Sequence, residues 1–529
     1  MDLMETNPTF VRNWSGVIDY WVRPALVFSV LFVLAVTLFP YHFYDREVVA
    51  QANQRTRTGD VINQNSWQDF TENILLYFPL GFSLSGWGWK SKSRRHVAFG
   101  MTLTLAAILS LLTETLQLFL PSRVTSLSDT VANTTGASLG FLTFLSTKNK
   151  ISKAATVSFN WVKRHLSRKK LIVGLSGYVG TMLLLSVPLQ HASGLRNWDK
   201  TFPLVLGNEK TGDRPWRGYL YFVFIFNRGI RDNQVERALI DPVSLASELG
   251  ASVAEYEFTS PAYLQDLAGH NPRLIWVGDS SISKSGLGTS LGPSHWLKTP
   301  APAENIIQKL SATDQFTILA RIATADTGQT GPARIISLSS DPYHRNFTIA
   351  QDGNNLIFRL RTPVTGENGT EPELVIPNIF RTTNRPLHLI FSYDGSRLTV
   401  YKDGVRQPYS LDFSPGAVAA GFLFSLGPFD MLGYRILFYM AVLFPLGFLL
   451  MLTVWRGVKR LLPRIVPICG IILLYSLVLE VILAEVARRS LCLENLFLSM
   501  LITAVGMLMS AIAFRDLDLK SYASYKPIE

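Results

Sequence analysis

The pentapeptide Phe-Pro-Leu-Gly-Phe occurs twice, at residues 78–82 and 444–448, and the residues after it keep step without a gap at an offset of 366 (444 − 78). Ser110, Leu111 and Glu114 recur as Ser476, Leu477 and Glu480, and Arg123, Leu127 and Gly140 recur as Arg489, Leu493 and Gly506. The residues between these matches are largely apolar. An acid and a base kept in both copies of an apolar text point to a duplicated membrane unit.

The 529 residues are 48% hydrophobic, with a positive mean hydropathy, too apolar for one soluble globule and too charged for a protein embedded throughout. About 20 mostly apolar residues span a bilayer core. Eight stretches qualify: 24–40, 73–89, 98–120, 127–145, 171–189, 431–454, 462–484 and 491–514. The fourth is the most polar, because Asp129 and Asn133 lie inside it. The first run follows more than twenty residues with charges of both signs, so it reads as a retained span, not a cleaved signal. Both cysteines, Cys469 and Cys492, fall in predicted spans, which leaves the soluble part without a disulfide framework or a zinc set.

The net charge of +11 is concentrated in short segments between spans, as in Lys90, Lys92, Arg94 and Arg95, in 148–170, and in Arg456, Lys459, Arg460 and Arg464. All these segments fall on one side of a strict alternation, which is the positive-inside pattern and removes the case for nucleic acid. The alternation places both termini inside and residues of about 190–430 outside. Arg123 and Arg489 then lie on the outer face, against the trend, where a fixed partner is expected.

From about 190 to 428 the text changes to short alternating runs separated by Gly, Asn, Asp and Pro, the signature of an all-β sandwich. Asp352-Gly353, Asp394-Gly395 and Asp403-Gly404 read as hairpin turns. His388 to Gly395 followed by Leu398 to Gly404 resembles the paired Tyr-Asp-Gly and Asp-Gly hairpin of laminin-G-like, concanavalin-type jelly rolls. Tyr256, Glu257, Phe258 and then Asp279, Ser280 and Ser281 resemble that family's opening strand and loop. Leu204 to Asn208, Trp216, Gly218 and Phe222 to Asn227 resemble its closing segment but precede the opening one, so the domain is expected to be circularly permuted. The resemblance implies glycan or protein binding, against a plain spacer role. Trp216, Trp276, Trp296 and Tyr343 are the candidates to stack on sugar rings. Asp279, Asp341 and Asp352 are too scattered to write a calcium site.

The order Asn73, Phe78 to Phe82, Glu114, Gln117, Pro121, Arg123, Ser126, Asp129, Asn133, Gly136 and Gly140 is similar to the VanZ-like membrane family over about 69–144, with a degenerate second copy at about 435–510. That resemblance implies a protein of the bacterial cell envelope, some members being associated with low-level resistance to the glycopeptide teicoplanin. Independently, Glu114 and Gln117 share one helix face, and Asp129, Asn133, Gly136 and Gly140 form one stripe. The glycines admit a close neighbour, and the polar groups need partners there. Pro121 lets Arg123 fold back toward Glu114 or Asp129. Two readings compete: Glu114–Arg123 and Glu480–Arg489 as structural ion pairs, or Glu114, Gln117, Arg123, Asp129 and Asn133 as an outward polar pocket. The second copy has Leu483, Asn495 and Ser499 at the places of Gln117, Asp129 and Asn133, so these three are the stronger candidates for function.

The expected architecture is a helical transmembrane bundle of about eight spans, with two parallel three-helix repeats, and an extracytoplasmic jelly-roll sandwich. The divisions are 1–189 (with the fifth span at 171–189), 190–428 and 429–529. The leading function is non-enzymatic binding of an envelope lipid-linked glycan, polysaccharide or glycopeptide. The alternatives are a membrane enzyme acting on a lipid-linked sugar or phospholipid, with Glu114 or Asp129 as base, and a small-molecule transporter. The expected partners are the bilayer and an envelope glycan, lipid-linked sugar or protein outside; no cofactor, metal or catalytic residue is assigned.

Overall fold

The computed structural model describes residues 22, 25–34, 36–38, 66–90, 93–119, 127–165, 167–242, 245, 249, 252–259, 264–279, 288–422, 431–455 and 465–523. The described parts of the eight apolar stretches are mainly helical. Five of these are long and apolar enough to cross a membrane: Arg95–Gln117, Lys169–His191, Gly433–Val454, Cys469–Ala487 and Leu493–Ala511. Among the described residues these five alone meet that length and composition, so the expected count of about eight spans is not confirmed. Ala25–Leu34 is an apolar helix of shorter length. Ser66–Lys90 and the 39-residue Leu127–His165 complete the set, the latter running far past its apolar first half into a basic segment.

The repeat is visible as packing. A Cβ at Gly81 would overlap the carbonyl oxygen of Ala137, and one at Gly140 would overlap that of Phe78. In the second copy Gly447 meets Thr503 O and Gly506 meets Phe444 O in the same way. Each of these residues lies 366 positions from its counterpart, so both copies cross their first and third helices backbone to backbone. Pro79 and Pro445 occupy equivalent places inside Ser66–Lys90 and Met431–Trp455. The first helix joins its copy through Ser29 Oγ, 3.2 Å from Ser83 Oγ.

The polar insert is a sandwich of two antiparallel seven-stranded sheets. One sheet runs, in spatial order, Leu374–Ile376, Asn355–Leu360, Arg345–Asp352, Ala333–Ser339, Leu204–Leu206, His295–Lys298 and Ile275–Gly278. The other runs Val405–Asp412, Arg397–Lys402, Leu387–Tyr393, Phe316–Thr324, Gly218–Phe226 and Ala254–Glu257, with Thr289–Leu291 also on Gly218–Phe226. Inward residues of both sheets, among them Leu204, Ile336, Phe347, Val223, Ile318 and Phe391, form one core. The two strands that open the domain in sequence occupy sheet interiors. At Lys402 to Val405 the hairpin turns on two residues with positive φ, Asp403 (47°) and Gly404 (82°), as a type I′ turn requires.

The chain forms two compact units, one of Met1–Val179, Val442–Ile468 and Leu501–Glu529, the other of Gly180–Ala441 and Cys469–Met500. The unit that holds the sandwich thus also takes in parts of four helices, Arg168–His191, Met431–Trp455, Ile465–Ala487 and Leu493–Ala523, beyond the expected limits of 190–428. Gly395, at the tip of a sandwich hairpin, has no room for a Cβ beside the Ala487 carbonyl, which closes one such helix.

Replacing Gly81 or Gly447 by Leu forces the helices apart, at a cost of about 1–3 kcal/mol or more, and should lower the amount of folded protein in the membrane several-fold. Gly100→Ala and Gly174→Ala, where a Cβ has open space, should leave it unchanged; equal yields for all four variants would contradict the packing described.

Candidate functional site

The first-copy polar residues are drawn into contacts between helices. Gln117 Nε2 donates to the Thr37 carbonyl at 2.9 Å, tying Arg95–Gln117 to the first helix. Asn133 Nδ2 donates to Ser110 Oγ at 3.0 Å, and Ser110 Oγ donates to Thr130 Oγ1 at 3.2 Å. Tyr77, fully buried, lies with its hydroxyl 3.4 Å from Thr113 Oγ1. Hydrogen bonds of this kind hold helices together where no water competes. Glu114 and Asp129 are half-buried. Arg123 lies outside the described residues, and with it the Glu114–Arg123 pair.

In the second copy Arg489 Nη1 stands 2.6 Å from Glu480 Oε1, with both side chains almost fully buried. The same oxygen accepts the Cys492 N–H at 2.8 Å, so one carboxylate joins the end of Ile465–Ala487 to the start of Leu493–Ala523. Beside this pair is a cavity of about 170 Å³ lined by Arg397, Asp412, Arg435, Tyr439, Leu483, Arg489 and Asn495, among others. Leu483 and Asn495 hold the places of Gln117 and Asp129, so the cavity occupies the second copy's version of the motif. Asp412 Oδ2, at the end of the last sandwich strand, accepts from Arg397 Nη2 at 2.9 Å and from Arg435 Nη1 at 3.0 Å. Arg397, Asp412 and Arg435 were not among the sequence candidates. An arginine in the apolar run 431–454 is the signal that could have found them.

A larger cleft of about 740 Å³ shares Asp394, Arg397, Arg489 and Ser490 with that cavity. Six arginines line it (Arg228, Arg231, Arg397, Arg406, Arg488 and Arg489) against two carboxylates, Asp232 and Asp394. Arg397 and Arg489 have their own buried partners. Arg406 meets Asp232 at 3.5 Å, and Arg488 meets Asp314 at 3.9 Å; both guanidiniums are nearly half exposed, so these pairs bind weakly. Arg228 and Arg231 have no carboxylate within 4.0 Å among the described residues. Tyr401 donates its hydroxyl to Asp232 at 2.5 Å, and burial together with that carboxylate raises its phenol well above the ordinary range. A recess lined by one sign of charge focuses its field and concentrates counter-ions.

The aromatic candidates do not make a sugar platform. Trp216 is fully buried and donates its Nε1–H to Gln351 Oε1 at 2.8 Å, so the expectation that it stacks on a glycan is corrected: it is a core residue. Trp276 packs against the core, and Trp296 points to the opposite face of the sheet, because Trp276 pairs with Leu297 and Trp296 with Val277. Only Tyr343 of the four is freely exposed, at 67%.

Replacing Glu480 by Ala leaves Arg489 buried without its partner, which costs about 3–5 kcal/mol. The thermal midpoint of the detergent-solubilised protein should fall sharply and recover in the Glu480→Leu/Arg489→Leu double variant. A single variant as stable as the parent would show that the pair is not structural.

No curated protein and no solved structure matches the chain. The VanZ/LLP1 family model matches residues 26–148, starting 43 residues (69 − 26) before the expected limit. The first helix is thereby part of the family unit and not an addition to it, in keeping with the Gln117–Thr37 and Ser29–Ser83 contacts. Residues 26–148 thus match the VanZ/LLP1 family model, and the chain that carries them is a membrane protein.

Proposed function

We propose that the protein is a non-enzymatic receptor for a phosphate-bearing amphiphile of the envelope, either an anionic phospholipid or a lipid-linked glycan, held by its headgroup in the arginine cleft. The observation that carries this reading is the placement of that cleft. It takes Arg228, Arg231 and Arg406 from the sandwich, and Arg488 and Arg489 from the turn that joins two apolar helices. A headgroup in the cleft would therefore lie where its acyl or polyprenyl tail can follow those helices into the bilayer. Arginine suits phosphate because its planar fork of donors matches the oxyanion. The positive-inside charge distribution supports an extracytoplasmic position for the sandwich and the cleft. The hairpin of Leu387–Tyr393 and Arg397–Lys402 supports the permuted laminin-G-like reading, and with it a recognition role for the sandwich.

Binding to the full-length protein in neutral detergent, measured with short-chain phosphatidylglycerol, a polyprenyl-phosphate sugar and short-chain phosphatidylcholine, tests the proposal. The two anionic probes should bind and weaken with added salt, and the stronger one identifies the source of the phosphate. Phosphatidylcholine should bind poorly. Arg228→Gln with Arg231→Gln should reduce affinity about tenfold or more, since a hydrogen bond to a charged group contributes roughly 1.5–3 kcal/mol. Equal binding of all three probes, or no effect of the double variant, would rule the cleft out.

A further inference from the structure

A second cationic site lies buried on the face of one sheet that points away from the sandwich core, apart from the cleft. In the sheet that contains Ala333–Ser339 and Arg345–Asp352, the core face carries Ile336, Leu338, Phe347 and Ile349. The opposite face carries Ser337, Ser339 and Thr348, with Ser337 Oγ 2.6 Å from Ser339 Oγ and 2.9 Å from Thr348 Oγ1. Strand alternation alone would put Arg334 on the face away from Ser337, and Arg345 on the face away from Thr348. Two register shifts, one between Arg334 and Ile336 and one where Leu338 and Ser339 pair with Phe347 and Arg345, reset both arginines to the hydroxyl face. Bulges of this kind re-aim side chains and recur beside functional sites.

The two guanidiniums are enclosed, Arg334 at 1% exposure and Arg345 at 0%. All three guanidinium nitrogens of Arg345, and Nε and Nη1 of Arg334, have no hydrogen-bond partner. Among the described residues one carboxylate serves the pair: Glu209 Oε2, 3.5 Å from Arg334 Nε, while Glu209 Oε1 accepts from Ser339. The next acid, Glu373, is engaged by Arg359 Nε at 2.6 Å. Three arginines thus face two acids, and the unmatched charge is the buried Arg345. Burial and the neighbouring arginines push Arg345 down to about 9, and burial with Arg359 pushes Arg334 down to about 10. An uncompensated buried cation is among the most costly features a fold can carry, and a bound counter-ion removes that cost.

We propose that Arg345 and Arg334, with the Ser337, Ser339 and Thr348 hydroxyls beside them, hold a small inorganic anion, chloride or phosphate, buried against the face of the sheet opposite the core. The anion would supply the acceptor that five buried N–H-bearing nitrogens lack and bring the three-to-two charge count to balance. It would also fasten the segment after residue 361 over the sheet, where the Arg345 N–H donates to the Glu367 carbonyl at 3.2 Å. The site needs no lipid and no membrane potential, so its test is separate from that of the cleft.

Thermal unfolding of the full-length protein in detergent is followed at constant ionic strength in sodium chloride, sodium phosphate or sodium gluconate. Chloride or phosphate should raise the midpoint above that in gluconate, and above Kd each tenfold rise in that anion should lower the unfolding constant about tenfold. Which of the two acts names the anion. Arg345→Met should abolish the response and be more stable than the parent in gluconate, because it removes the uncompensated charge. Crystals grown in bromide should show an anomalous peak beside Arg345 if halide is the ion. Identical midpoints in the three salts overturn the proposal even if the variant fails to fold, and so does a response that survives unchanged in Arg345→Met.

Discussion

The arrangement of the membrane helices rests on one steric constraint: a glycine Cα set against the carbonyl oxygen of the facing helix. Five such contacts occur between these helices among the described residues, four of them as two equivalent pairs, Gly81 with Ala137 and Gly140 with Phe78, then Gly447 with Thr503 and Gly506 with Phe444, and a fifth, Gly136 with Ile74, in the first copy alone. In lipid no hydrophobic gain draws two apolar helices together, so association depends on close approach and on hydrogen bonds between them. The glycines supply the approach. Asn133, Ser110 and Gln117 then act across short gaps in the first copy, where a wider crossing would leave their polar atoms unmatched. Glu480 and Arg489 do the same in the second.

The family match changes how the repeat is divided. Since residues 26–148 include the first helix, a unit holds four helices, the first separated from the second by the segment 39–65. Arg168–His191 stands in that position for the second copy, and Tyr178 bonds the Val442 carbonyl on Met431–Trp455 at 2.9 Å, much as Ser29 meets Ser83. The sandwich then occupies the connection between the first and second helices of the second unit. A connection on the surface tolerates a large insertion, provided the domain's ends lie near each other. The ends of this sandwich do lie close together, since Gln190 Nε2 donates to the Phe413 carbonyl at 3.3 Å.

Features set by local sequence were legible. The described parts of the apolar stretches are mainly helical, the Asp-Gly pairs at 352–353, 394–395 and 403–404 all close hairpins, and each of those glycines has positive φ. The repeat offset found in letters reappears in the helix crossings. What escaped the sequence depends on residues far apart in the chain. The cleft joins arginines from 228 to 489, and nothing in the neighbourhood of any one of them announces the others. Trp216 reads as a surface aromatic until Gln351 is seen to satisfy its indole in the core. Arg334 and Arg345 reached one face only through register shifts, which change the period of two on which strand reading depends.

The comparison of the two copies acquires a different sense from these placements. Gln117 and Asn133 distinguish the first copy, yet both are occupied in joining helices. In the second copy Leu483 and Ser499 stand at those two places, and Leu483 lines a cavity together with Asn495, the counterpart of Asp129. The structural burden there is carried by the Glu480–Arg489 pair and by Asp412, which two arginines grip at the foot of the sandwich. Arg489 belongs both to that pair and to the lining of the arginine cleft, so the charged end of the second copy is continuous with the cleft.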